Sequence, residues 1–82
     1  MNKYIFFYFI EAEAEAVKKS APNHARYWED KLIMGGPFVD FSGGFVTFEA
    51  NSLDEATKIA NADPFVKDKI LSEKILKEWM KK

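Results

Sequence analysis

Cysteine is absent from this chain of 82 residues, and histidine occurs once. The first absence removes disulfides as a source of stability. Together the two argue against a structural zinc site, which takes four Cys or His ligands. The four glycines fall in two pairs, Gly35-Gly36 and Gly43-Gly44, and neither pair forms a phosphate loop or a dinucleotide fingerprint. No serine stands in a nucleophile elbow. Neither charge sign dominates: 12 Lys and Arg against 13 Asp and Glu leave a formal net charge of −1. Such a balance gives no electrostatic footprint for nucleic acid or for a membrane surface. No run approaches the roughly 20 apolar residues of a membrane span. The first residues lack the pattern of a signal peptide, so a cytoplasmic, reducing location is expected.

What is present is an aromatic-rich chain with material for one domain over residues 1–82. A chain of this size buries only roughly 60% of its unfolded surface, and small folds usually need disulfides, a metal or a partner chain. With the first two disfavoured, association is the route left open. The aromatics sit in apolar runs without interleaved arginines and read as core.

Lys3 to Ile10 (KYIFFYFI) has the composition and length of a strand. Tyr4, Phe6, Tyr8 and Ile10 share one face, Ile5, Phe7 and Phe9 the other. Both faces are apolar, so both are expected to be covered. Glu11 to Lys19 suits a short helix or a loop. Pro22 interrupts a continuous helix but is tolerated in the first turn of a new one. Ala21, Ala25, Trp28 and Leu32 then recur at helical spacing, which predicts a helix from Pro22 to near Ile33. Leu32 to Val39 reads as a second strand, bulged at Gly35-Gly36-Pro37. Asp40 to Gly44 reads as a turn in which glycines supply positive φ, and Phe45 to Ala50 as a third strand. Ser52-Leu53-Asp54-Glu55 matches a capping box, followed by a helix that Asp63-Pro64 ends. The tail has two periods. Leu71, Ile75 and Trp79 lie four apart, yet residues 73–79 also alternate as on a strand.

The order is β-α-β-β-α plus a tail. A strand in the tail would make this an α+β ferredoxin-like βαββαβ fold with an antiparallel four-stranded sheet. Its helices would cover one sheet face and leave the other bare. The doubly apolar first strand is explained if a second sheet packs there. A homodimer, or a higher oligomer, is therefore expected.

His24 is the residue that titrates near neutrality without special tuning, and early in a helix it suits a general base or an anchor. Its bland alternative is a half-exposed helix histidine. Asp63 and Asp40 each have an alternative role as turn residues bonding their own backbone. Gly36-Pro37 reads as a bulge or as a close backbone approach to a ligand. Tyr27 could line a pocket mouth, whereas Trp28 reads as core.

Taken in order, these marks resemble the YciI-like (YCII-related) family over nearly the whole chain. They are the aromatic first strand, Pro22-x-His24, the Leu-Ile-Met-Gly-Gly36-Pro37 strand, the Gly43-Gly44 turn, Phe48-Glu49-Ala50-x-Ser52-Leu53-x-Glu55-Ala56, Ala62-Asp63-Pro64-Phe65-Val66 and Trp79. The resemblance implies a ferredoxin-like fold paired into a dimeric α/β barrel, with the tail as fourth strand. It also implies a site where His24 meets Asp63. The family has been linked to small-molecule chemistry, including dehydrochlorination of a chlorinated hydroxyhydroquinone. This sequence departs from the family where an arginine often precedes the histidine by three residues, a position held here by Ala21. Arg26 is then the candidate to supply that charge. The family's glycine after the Asp-Pro segment and its Arg/Lys-Pro near the end are also missing.

The expectation is a cofactor-independent lyase or hydrolase acting on a small cyclic or aromatic molecule. His24 would move one proton, Asp63 would orient it, and Gly36, Pro37, Asp40, Tyr27 and Arg26 would surround the substrate. No metal and no cofactor enter this reading. The alternative is a small-ligand-binding or accessory dimerisation module without chemistry, since fold alone decides nothing.

Overall fold

The computed structural model describes residues 1–82. Its elements are β1 (Asn2–Ile10), α1 (Ala14–Trp28), β2 (Leu32–Pro37), β3 (Gly43–Ala50), α2 (Leu53–Asn61), α3 (Pro64–Lys67) and β4 (Leu71–Trp79). The strands form one antiparallel sheet in the order β2-β3-β1-β4. This is the ferredoxin-like fold.

β1 lies at the centre of the sheet, and its alternation decides what each face carries. Tyr4, Phe6 and Tyr8 are almost wholly enclosed, with Val46, Phe48 and Ala50 of β3 on one side and Trp28, Ala56, Ala60 and Phe65 of the helices above. Burying one such large side chain contributes about 1.5–3 kcal/mol, so this aromatic layer dominates the stability of so small a chain. On the opposite face, Ile5, Phe7 and Phe9 are only half-buried. They are flanked by Phe45 of β3, whose ring lies 6.3 Å from that of Phe7, and by Phe38, 6.0 Å from Phe9. The helices pack on one face, and the other is left open.

Several elements differ from the sequence expectation. α1 is one continuous helix through Pro22 and ends at Trp28 rather than near Ile33. Pro22 removes one amide and leaves the Lys18 carbonyl without its helical partner. Both residues are exposed, so water can serve that carbonyl. Meanwhile Val17, Ala21 and Trp28 keep one stripe against the core on either side of the proline. Packing of that stripe outweighs the lost bond.

In β2 the irregularity falls between Leu32 and Met34, while Gly35, Gly36 and Pro37 pair regularly with Val46, Phe45 and Gly44. Thr47 spans the irregularity: its hydroxyl donates to the Met34 carbonyl at 2.9 Å and accepts from the Met34 amide at 3.1 Å. Pro37 is harmless because β2 is an edge strand. The positive φ of the following turn belongs to Phe41, at 60°, and not to Gly43 or Gly44. Those glycines are already strand, and close approach is what requires them. A Cβ at Gly43 would stand 2.0 Å from the Tyr8 carbonyl oxygen.

The tail is β4, paired with β1 from Lys3↔Trp79 to Ile10↔Leu71. The helical spacing of Leu71, Ile75 and Trp79 loses to the open hydrogen-bonding edge that β1 presents. α2 is capped as its sequence suggests, with the Ser52 hydroxyl accepting from the Glu55 amide at 3.1 Å. The Glu55 carboxylate returns to the Asn51 amide at 3.1 Å, one residue before the cap itself.

Candidate active site

Two segments 39 residues apart in sequence meet between α1 and α3. His24 sits on the inward stripe of α1, four residues before Trp28. Asp63 precedes Pro64, whose ring opens α3, and its side chain caps that short helix by accepting from the Phe65 amide at 2.9 Å. The turn role expected of Asp63 is therefore real. The same carboxylate, 0% exposed, also lies 2.8 and 2.9 Å from His24 Nδ1 and accepts from Trp28 Nε1 at 2.9 Å. Three N–H groups converge on a carboxylate that sees no water, which satisfies it inside the fold.

Because Nδ1 faces a carboxylate, it carries the proton. His24 lines a cavity of about 410 Å3, and Nε2 is the nitrogen left to face it. The imidazole is held on both sides. Phe65 stacks on it, with centroids 4.0 Å apart and planes at 11°. Tyr8 meets it edge-on at 5.0 Å and 65°. The side chain is 12% exposed, so one nitrogen is locked and the other is reachable.

The cavity lies between α1 and the β2–β3 side of the sheet. Val17, Ala21 and Ala25 of α1 form one wall, and Leu32, Gly35, Gly36 and Pro37 of β2 form the other. Ile10, Val46 and Gly43 close the sheet side, and Phe41 stands at its edge, 73% exposed. The walls are almost entirely apolar. No three His, Asp or Glu side chains gather as they would to hold a metal ion.

Of the residues the sequence pointed to, the structure brings together His24, Asp63, Gly36 and Pro37. The others lie elsewhere. The Tyr27 hydroxyl donates to the Ile59 carbonyl at 2.6 Å, tying α1 to α2. Burial and the Asp63 charge raise its pKa above the usual phenol value. Arg26 is exposed beside Asn23. It is not among the residues lining the cavity, whereas Ala21 is part of the wall. Asp40 is spent on its turn, accepting from the Ser42 amide at 3.0 Å and the Ser42 hydroxyl at 2.6 Å. Those bonds hold its carboxyl below the ordinary range. Sequence reasoning missed Tyr8, Phe41 and Phe65. Only the alternation that placed Tyr8 on one face with Phe6 hinted that it would reach the helix side.

The YCII-related domain pattern matches residues 1–80. The chain belongs to the YCII-related family. Among curated relatives, this YCII-related chain is 49% identical over 51 residues to the uncharacterized protein YjpA of Bacillus subtilis (strain 168). That match covers 62% of the chain and 59% of YjpA, so it spans about three fifths of the relative's length. Among solved structures, the YCII-related chain superimposes on 5-chloro-2-hydroxyhydroquinone dehydrochlorinase, TftG, of Burkholderia phenoliruptrix AC1100, in complex with 2,5-dihydroxybenzoquinone. The TM-score is 0.84 at 23% identity, over 95% of this chain and 93% of TftG. A protein of Arabidopsis thaliana matches at a TM-score of 0.55 and 8% identity, over 100% of this chain and 96% of that one. At these identities the two structures establish a shared fold. In the YCII-related chain, no helix is long and apolar enough to cross a membrane.

Proposed function

We propose that the chain is a small-molecule enzyme of the lyase or hydrolase type in which His24 Nε2 transfers one proton and Asp63 orients the ring. The observation that carries this reading is the His24–Asp63 pair at 2.8 and 2.9 Å, with a buried carboxylate on one side and an apolar cavity on the other. A histidine whose Nδ1–H is fixed by a carboxylate presents a basic Nε2 in a set direction. Such a group contributes about 10²–10⁴-fold to a step limited by proton transfer. The likeness to TftG suggests the first substrates to try, hydroxylated chloroarenes. Loss of HCl from one removes a proton and a chloride and requires no oxidant. The test is turnover of 5-chloro-2-hydroxyhydroquinone by the wild type and by His24→Ala. A loss of at least about 10²-fold is expected, and undiminished turnover in the variant overturns the assignment.

The same reading includes a homodimer formed through the open sheet face. Ile5, Phe7, Phe9 and Phe45 present apolar surface there that no helix covers. On that face Trp79 pairs with Lys3, and its indole Nε1 is enclosed without a hydrogen-bond partner. That donor is covered by its own chain and lies out of a second sheet's reach, so the apolar strip of Ile5, Phe7, Phe9 and Phe45 alone carries the dimer reading.

A further inference from the structure

The cavity has a second polar side chain that proton transfer by His24 does not use. Tyr8, on the central strand, is 3% exposed, and its ring is boxed in by His24, Phe65 and Phe6. It lines the same cavity as His24. Its hydroxyl is placed by a glycine. A Cβ at Gly44 would stand 2.4 Å from the Tyr8 oxygen and 2.5 Å from the Gly36 carbonyl oxygen. No protein group hydrogen-bonds this hydroxyl, yet Trp79 Nε1 is the one enclosed side-chain polar atom without a partner. The Tyr8 hydroxyl is therefore open to the cavity.

Two physical facts make it a donor. Burial, and then the nearby Asp63 charge, push the Tyr8 pKa up to about 12, so the phenol keeps its proton at neutral pH. A phenolic O–H with no protein acceptor gains most from an acceptor atom on a ligand. The walls select among ligands. No lysine or arginine lines the cavity, so a carboxylate or phosphate would find no permanent positive charge there, and burying it is costly. An aromatic ring meets Tyr8, Phe65 and Phe41, and the volume of about 410 Å3 suits a small molecule.

We propose that the Tyr8 hydroxyl is a second anchor of this site, donating a hydrogen bond to the oxygen of a planar phenolic or enolic ligand whose proton His24 Nε2 takes. This rests on the reading of His24 as the proton-transfer group. In the step, the ligand O–H bond breaks, its proton goes to Nε2 and its electron pair stays on oxygen. Tyr8 keeps its own proton and stabilises the resulting oxyanion by hydrogen bonding, the kind of prearranged donor that favours charge where it develops.

The test uses 4-nitrophenol, whose absorption band reports both its ionisation and the hydrogen bonding of its oxygen. Saturable binding to the full wild-type chain is expected, with part of the bound probe ionised. Tyr8→Phe should weaken binding about 10-fold, the equivalent of about 1.4 kcal/mol, and move the bound phenolate band to longer wavelength. His24→Gln should lower the ionised fraction while the effect of Tyr8→Phe persists. Tyr8→Phe removes an atom with no protein partner, so an unchanged circular dichroism spectrum is expected alongside. Unaltered affinity and band in Tyr8→Phe overturn the proposal, as does no saturable binding to the wild type. If His24→Gln leaves the ionised fraction unchanged while Tyr8→Phe still weakens binding, Tyr8 stands as an anchor and the proton-transfer role of His24 falls.

Discussion

Phe65 lies flat against the imidazole of His24, 4.0 Å away, while its own backbone amide bonds the carboxylate that holds that imidazole. One residue therefore fixes the histidine through its ring and the aspartate through its main chain. Replacing Phe65 by leucine keeps the amide and removes the stacking. The His24 ring-proton resonances should move downfield as the ring-current shift is lost. Stability should fall by no more than about 1.5 kcal/mol, read from urea denaturation.

Asp63→Asn should cost more. An amide side chain has one acceptor oxygen where the carboxylate has two, and its NH₂ would face an N–H donor. At least one of His24 Nδ1, Trp28 Nε1 and the Phe65 amide is left unsatisfied in a buried place. The expected loss is about 1–3 kcal/mol. Nitrogen NMR should show the imidazole shifting from the Nδ1–H tautomer toward Nε2–H.

The glycines are not equivalent. A Cβ at Gly43 would collide with the β1 backbone, 2.0 Å from the Tyr8 carbonyl oxygen and 2.9 Å from the Phe9 Cα. Gly43→Ala should destabilise by about 1–3 kcal/mol or more, since strand β1 must move. Nothing lies within 4 Å of a Cβ at Gly36. Gly36→Ala should stay within about 0.5 kcal/mol, measured by the same denaturation.

Tyr8 gives alkaline stability a defined sign. Its folded pKa of about 12 lies above the ordinary 10.0. The unfolded chain releases the proton first, so the contribution of Tyr8 is complete below pH 10.0 and is lost as pH rises toward about 12. Tyr27 shifts in the same direction, so the wild type alone does not isolate Tyr8. The denaturation midpoint of the wild type should fall relative to that of Tyr8→Phe across that window. A constant difference would show that the shift is absent.

The open face predicts an assembly phenotype. Phe7→Glu places a charge beside Phe45, opposite the helices. Sedimentation equilibrium should show a dimer for the wild type and a monomer for the variant, with helix and strand content retained. A wild-type monomer at micromolar concentration would remove the dimer from the proposed function.

Local patterns determined a good part of this protein by themselves. The two-residue alternation of Tyr4, Phe6 and Tyr8 against Ile5, Phe7 and Phe9 defined the central strand and its two apolar faces. Ser52 and Glu55 marked the start of α2, because a cap is satisfied by neighbours in sequence. The order of motifs, more than any one of them, marked the family and with it the pairing of His24 and Asp63. Tertiary structure decided whatever depended on a distant partner. The tail carried helical and strand periods at once, and the free edge of β1 chose the strand. Pro22 argued for a break, and the packed stripe on both sides of it carried the helix through. Arg26, two residues after His24, is turned about 200° away and faces solvent. Tyr27, three residues on, stays on the His24 side of the helix and is drawn out of the site by its bond to the Ile59 carbonyl. Tyr8 entered the site because Gly44, on the neighbouring strand, has no side chain to stand in its way.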